Sequence, residues 1–406
     1  MTIEATAPAG AKEADREVAN DPSLPWREAT SYCLKVFLVM RVGLTVLALA
    51  GVALMPVNRK TEVPGWPAPE TKPGWSNAVT AFERWDALWF MRIAEDGYTE
   101  DDGSAAFFPA YPMAVRAVST VMGGHPLPAA LLISNAAFLG ALILLYLLSR
   151  FEFNEQTARR AVLYASVFPT AFFFIAPYSE SLFLLLALGS ILSARLGKWP
   201  AAGLLGALAA ATRSIGIVLL PALLVEAFMQ RRRGESRGAL LRRGSWALSA
   251  GLGTLLYLGY WKATSGSWLT PMSKQSNWLR EVAAPIGTLI DGTEIAFRFI
   301  GSGVAGYQLL DWLIVVPVVI ATGWAVIRLR PVYAVYAVLS VAIPLTLIYG
   351  DRPFMSLPRF AVVVWPVYWM MSRAADRWDI HNATTACSAV LLGLFTVLFV
   401  NWYWVF

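Results

Sequence analysis

The stretch R-W-D-A-L-W-F-M-R-I-A-E-D-G-Y, from Arg84 to Tyr98, carries an acid on the wrong face of a helix. At roughly 100° per residue, Trp89, Phe90 and Ile93 fall on the side of Asp86, while Arg92, Glu95 and Asp96 gather on another. A carboxylate among aromatic and aliphatic neighbours costs free energy unless it is paired or used. Asp86 is therefore the leading candidate for chemistry, set against the plainer role of helix N-cap.

The surroundings of this stretch decide what kind of chain holds it. The 406 residues are 57% hydrophobic and 15% charged, against about 25% charged in an ordinary soluble domain. Apolar runs long enough, or nearly long enough, to cross a bilayer follow one another from Tyr32 onward, about eleven in all. The fold class expected is an all-α polytopic membrane protein. Residues 1–30 are polar and Ala/Pro-rich and read as a disordered cytoplasmic tail with no signal peptide. Residues 31–406 read as a single transmembrane domain.

The spans are placed at about 32–56, 127–149, 160–176 and 178–196, then two short spans meeting at Arg213 within 199–229. Further spans follow at about 246–263, 309–328, 332–349, 358–373 and 384–405. Basic clusters such as R-R-R-G-E-S-R after Gln230 mark the cytoplasmic side. That rule accounts for the net charge of +6 without a nucleic-acid partner. Two regions then lie outside, 57–126 and 264–308. Asp86, Glu95, Asp96, Glu180, Arg213, Lys274, Asp351, Arg352 and Arg359 all fall on that outer side. The first outer loop also holds Glu83, Glu100, Asp101 and Asp102.

Several of these residues have a chemical reading of their own. Arg213 lies between two apolar runs, where a guanidinium is costly unless it faces a cavity or an anion such as phosphate. Glu180 follows Pro177 and Tyr178 at the shortest outer turn, placed to pair with Arg213 or to orient a sugar hydroxyl. It also suits the first turn of a helix. The prolines of F-F-P-A-Y-P, residues 107–112, hold an aromatic loop extended, with Tyr111 against a lipid chain or in an interfacial belt. Asp351, Arg352 and Arg359 make a second charged outer turn, a headgroup contact or an internal ion pair.

Other chemistries lack their residues. Cys33 and Cys387 sit in apolar segments near opposite ends and read as buried free thiols. His125 and His381 share no ligand spacing, and no cofactor is expected; Asp86, Glu95 and Asp96 could recruit a divalent ion, but no spacing among them compels it. No Gly-rich phosphate loop or hydrolase elbow appears in a suitable context. An enzyme working on the outer face would then draw on a lipid-linked sugar phosphate in place of a nucleotide.

R-W-D-A-L-W-F-M-R-I-A-E-D-G-Y, A-F-F-P-A-Y-P, P-Y-S-E-S-L-F, T-R-S-I-G and S-L-P-R-F follow in this order between about residues 84 and 370. The series resembles the GPI mannosyltransferase II family and its bacterial relatives. The resemblance implies a GT-C glycosyltransferase in the plasma membrane, with its amino terminus inside and its catalytic acid in the first large outer loop. It would move mannose from a polyprenyl-phosphate donor to a lipid or glycan acceptor, with membrane lipids around it. By that resemblance Asp86 is the general base. Arg213, Arg352, Arg359 and Lys274 would hold the donor phosphate, and Arg84, Trp89, Glu95, Asp96, Tyr111, Tyr178 and Glu180 would line the substrate site. Trp89 stands where eukaryotic members often carry histidine, which points to a different acceptor. A GT-C enzyme using an arabinose or glucose lipid phosphate shares every one of these features. A transporter would place its charges near the midplane in two repeated halves, and no such repeat is visible.

Overall fold

A computed structural model describes residues 24–58, 60–70, 74–100, 102–231, 235–274, 280–298, 306–350 and 352–405. Asp101, Asp351 and residues 1–23 of the expected tail lie outside the described residues. The chain is built of α-helices and short 3-10 turns, with one two-stranded antiparallel ribbon pairing Arg280–Val282 with Leu347–Tyr349. Among the described residues four helices are long and apolar enough to cross a membrane: Trp26–Leu54, Pro126–Glu152, Tyr307–Arg328 and Trp378–Val400. Trp199–Thr212, Ser214–Met229 and Pro331–Thr346 are apolar but shorter.

The eleven expected spans therefore reduce to four by length, and prolines account for much of the difference. The run 160–176 is helical only to Val167, because Pro169 cannot continue the ladder and a 3-10 turn, Ala171–Phe174, takes over. The run 332–349 stops at Ala342 before Pro344. The run 358–373 divides into Leu357–Ala361 and Pro366–Ala374. Residues 246–263 fall in two helices, Arg237–Ser249 and Leu252–Ser265, and the first takes in part of the basic segment, with the Ser236 side chain accepting from the Ala239 amide.

Smaller expectations shift as well. The first described helix begins at Trp26, directly after Pro25, so residues 26–30 are helical. Helix Ala110–Val121 takes in Tyr111 and Pro112, with Pro112 tolerated in its first turn, so F-F-P-A-Y-P is extended only in part. Cys33 is buried, but Cys387 is exposed.

Helix Glu180–Arg195 is the axis of the packing, lying between Pro126–Glu152 and Trp199–Thr212. Its two ends hold two charged clusters. At one end Arg195 donates from Nε to Glu152 Oε1 at 2.6 Å and from Nη1 to Glu226 Oε1 at 3.0 Å. Arg330 adds a bond to Glu226 Oε2 at 2.9 Å, and the Tyr333 hydroxyl donates to Glu152 at 2.6 Å. At the other end, about 24 Å away along 16 residues, Glu180 begins the site described below. Small residues set the helix that ends at Arg213: a Cβ on Gly253 would run into the Ala207 carbonyl, so Leu252–Ser265 touches Trp199–Thr212 backbone to backbone.

Candidate active site

The site is assembled around Glu180 by five chain segments, which carry Asp86, Glu180, Arg213, Arg280 and Arg359. Glu180 is the first residue of its helix and is fully buried. Such a charge needs partners in the low-dielectric interior, and it has two, since Arg213 and Arg359 both donate to its Oε1. Arg213 sits in extended backbone between Thr212 and the 3-10 turn Ser214–Val218, with its side chain 7% exposed and its Nη1 also 3.1 Å from Ser179 Oγ. The two short apolar segments expected on either side of Arg213 are there, as Trp199–Thr212 and Ser214–Met229.

Arg359 lies on the short helix Leu357–Ala361 and bridges two acids, Glu180 through Nε and Asp86 through Nη1. Its guanidinium rests on the Tyr178 ring at 4.7 Å and near Phe173 at 5.5 Å. Asp86 is the outermost member, with 23% of its side chain exposed. The acid read from the helical wheel is thus paired at the mouth of the cluster, and it occupies the first helical position of Asp86–Asp96, one past the cap.

The residue at that cap, Trp85, has φ 56° and ψ −120°. Three non-glycine residues have positive φ among those described, Trp85, Ser356 and Trp402. Trp85 precedes Asp86, Ser356 caps the helix of Arg359, and the Trp402 ring centre is 5.7 Å from that of Trp85. Backbone in such regions persists only where the surroundings over-determine it, and it gathers at functional sites.

Arg280 completes the cluster and was not singled out by its sequence, where it is one basic residue in a polar region. The ribbon places it opposite Tyr349, and its Nη2 donates to Ser356 Oγ at 3.0 Å. Burial lowers its pKa from the ordinary value, with the Asp86 charge acting against the shift and the Arg359 charge adding to it. Among the described residues Arg280 makes no ion pair with a carboxylate. Among the described residues the cluster thus holds two carboxylates, Asp86 and Glu180, and three guanidinia, Arg213, Arg280 and Arg359, and 3 − 2 leaves one positive charge among them.

Other expected site residues are placed differently. Arg84 is buried and spends its guanidinium on backbone carbonyls, Val400 at 2.8 Å, Thr80 at 2.7 Å and Glu83 at 3.0 Å. The Tyr178 hydroxyl donates to the Arg84 carbonyl at 2.8 Å. Tyr111 is buried with its hydroxyl 2.8 Å from Ser134 Oγ and its ring against Phe90. Trp89 is buried and stacked on Phe107 at 5.6 Å. Glu95 and Asp96 are exposed at the far end of the Asp86 helix, about 14 Å along it. Arg352 pairs with Asp311, a fully buried acid that its apolar surroundings disguise in the sequence. Lys274 is half-buried just past the turn Thr270–Ser273.

Residues 46–231 match the family model described as Mannosyltransferase (PIG-V). GPI alpha-1,6-mannosyltransferase 2 of Mus musculus is 36% identical over 156 residues, which are 35% of this chain and 30% of that protein. GPI mannosyltransferase 2 of Drosophila pseudoobscura pseudoobscura is 34% identical over 116 residues, 26% of this chain and 25% of that protein. The chain thus spans less than a third of the length of these curated relatives. The likeness read from the motifs holds over residues 46–231, which make the chain GPI mannosyltransferase II-like there. That stretch includes Asp86, Glu180 and Arg213 and leaves out Arg280 and Arg359. Among solved structures, the Archaeoglobus fulgidus oligosaccharyltransferase with zinc and sulfate covers 88% of this chain, with 53% of its own length matched, at a TM-score of 0.42 and 12% identity. The same enzyme tethered to an acceptor peptide gives 0.43 at 13% identity, over 90% of this chain and 55% of its own.

Proposed function

We propose that this chain is an inverting membrane glycosyltransferase of GT-C type that moves mannose from a polyprenyl-phosphate donor to a lipid or glycan hydroxyl on the extracytoplasmic face. The observation that carries this is the single surplus positive charge of the cluster, beside one carboxylate that reaches solvent. A polyprenyl-phosphate sugar is a phosphodiester with one negative charge, and it becomes a dianionic phosphate as the sugar leaves. A site with fixed guanidinia favours that gain of charge.

In this reading the donor phosphate sits against Arg280 and Arg359 and draws Arg359 off Asp86. Asp86 Oδ2, the atom that Arg359 holds, then takes the proton of the acceptor hydroxyl. The acceptor oxygen attacks the anomeric carbon from the side opposite the phosphate, the bond from carbon to phosphate oxygen breaks, and the configuration inverts. Polyprenyl phosphate departs with the bonding electron pair. Glu180 keeps Arg213 and Arg359 in place throughout. The face rests on the basic clusters of the sequence, and the mannose on the likeness to mannosyltransferases over residues 46–231.

The test is transfer from polyprenyl-phosphate mannose to lipids extracted from the source cells, comparing the purified wild type with Asp86→Asn. Loss of at least ~100-fold in the variant is expected for removal of a catalytic base. Retained transfer removes Asp86 from the mechanism. If a folded wild type transfers no mannose but does transfer arabinose or glucose from the matching donor, the sugar assignment fails and the reaction class stands.

A further inference from the structure

We infer that the segment Asn401–Val405 is a positioning element of the site, keyed on Trp404 and pinned by the Asp311–Arg352 pair. Helix Trp378–Val400 ends one residue before it, and two rings of the five residues that follow, Trp402 and Trp404, meet Trp85 and Tyr349 beside the cluster. There the Trp404 ring is wedged between two walls. On one side it stacks on Trp85, 5.8 Å between centres with planes 22° apart, and Trp85 directly precedes Asp86. On the other it meets Tyr349 edge-on at 5.5 Å, and Tyr349 is the ribbon partner of Arg280. One ring thus spans from the residue before the proposed base to the strand opposite Arg280.

Two further sets of contacts hold this segment. Arg84 donates to the Val400 carbonyl at 2.8 Å and lies 5.0 Å over the Trp402 ring, while the Asn58 amide donates to the Asn401 carbonyl at 2.8 Å. The Trp404 carbonyl accepts from Arg352 Nη1 at 3.3 Å, and Arg352 Nε donates to Asp311 Oδ2 at 2.8 Å. With its charge matched by a fully buried carboxylate, Arg352 holds a carbonyl in place of a donor phosphate. Trp85 and Trp402 both have positive φ, a conformation that needs neighbours on every side to persist. For Trp85 the segment supplies two of those neighbours, the rings of Trp402 and Trp404, and with them the direction in which Asp86 leaves the backbone.

The inference uses the transferase reading for its catalytic arm only. The experiment is amide hydrogen exchange on the purified full chain, together with kcat and donor KM for polyprenyl-phosphate mannose, in Trp404→Ala, Trp404→Phe, Asp311→Asn and Arg352→Gln. Expected for Trp404→Ala and Asp311→Asn is exchange over residues 84–90 faster by about tenfold, as one lost stack or charge-assisted bond implies, with helix Pro126–Glu152 unchanged. The expected kcat falls by about tenfold with donor KM within about twofold, and Trp404→Phe recovers most of both effects. Unchanged exchange over 84–90 in both variants overturns the inference, whatever happens to catalysis. So does an Arg352→Gln enzyme with raised donor KM and unaltered kcat, which returns Arg352 to the phosphate. Faster exchange in variants of a chain whose wild type transfers no sugar supports the positioning role and sinks the transferase reading alone.

Discussion

Neutralising Glu180 and neutralising Asp86 should have opposite profiles of stability and activity. Glu180 is fully buried and holds two guanidinia that are 7% and 9% exposed. In Glu180→Gln both lose their common counter-charge, and Arg213 is left with no carboxylate partner among the described residues. Breaking a buried pair by removing one partner costs about 3–5 kcal/mol, because the remaining charge stays out of water. Asp86 is 23% exposed and is the second of two partners for Arg359, so Asp86→Asn leaves Arg359 still paired and solvent screens the change, for about 1 kcal/mol. Titration of unfolding with SDS in mixed micelles, read by far-ultraviolet circular dichroism, measures both. Glu180→Gln should be the less stable by at least about 2 kcal/mol, while Asp86→Asn should be nearly wild type in stability and lose transfer. Equal destabilisation by the two, or a larger loss for Asp86→Asn, would refute the assignment of Glu180 as the anchor and Asp86 as the reactive group.

Three other outcomes follow from the geometry. Arg280→Gln should raise the donor KM by about 10–100-fold, the scale of one charge-assisted hydrogen bond, with Arg280→Lys recovering part of it, measured by transfer over a range of donor concentrations. Gly253→Ala should destabilise by about 1–3 kcal/mol in the same SDS titration, since the new methyl has the Ala207 carbonyl in its place. Asp102 is held below its usual range: burial acts to raise it, but bonds from Thr99 and Ser104 and the charge of Arg92 outweigh that. Its contribution to the loop is then present above the unfolded carboxylate pKa and lost as pH falls through the lower folded one, so proteolysis within residues 97–104 should accelerate only below about pH 4.

Much of the site was legible because charge among apolar residues is itself a signal. Asp86, Glu180 and Arg213 each break an apolar pattern, and the structure joins them in a row, Asp86 to Glu180 through Arg359 and Glu180 directly to Arg213. Arg280 and Asp311 escaped notice for opposite reasons. Arg280 sits in a region where charge is unremarkable, and only the ribbon brings it to the cluster. Asp311 is one acid near the start of a long apolar run, and its partner Arg352 is 41 positions away. Arg84, Tyr111 and Trp89 were expected to meet substrate because they lie in the motifs, yet their polar atoms or rings are taken up by Val400, Ser134 and Phe107. Motif spacing marks which residues travel together and says little of which way each side chain turns. Apolar runs and unbroken helices part company where proline interrupts the helix without lowering hydropathy, at Pro169, Pro344 and Pro366.

Ser356 sets stability and activity against each other. Its φ of 67° and ψ of −12° suit glycine, which would relieve about 1 kcal/mol of backbone cost. Its hydroxyl is nevertheless the group that receives Arg280. A library selected for heat resistance alone should therefore drift to Ser356→Gly, and one selected for the proposed sugar transfer should keep serine. The position would separate the two selections by a single oxygen atom.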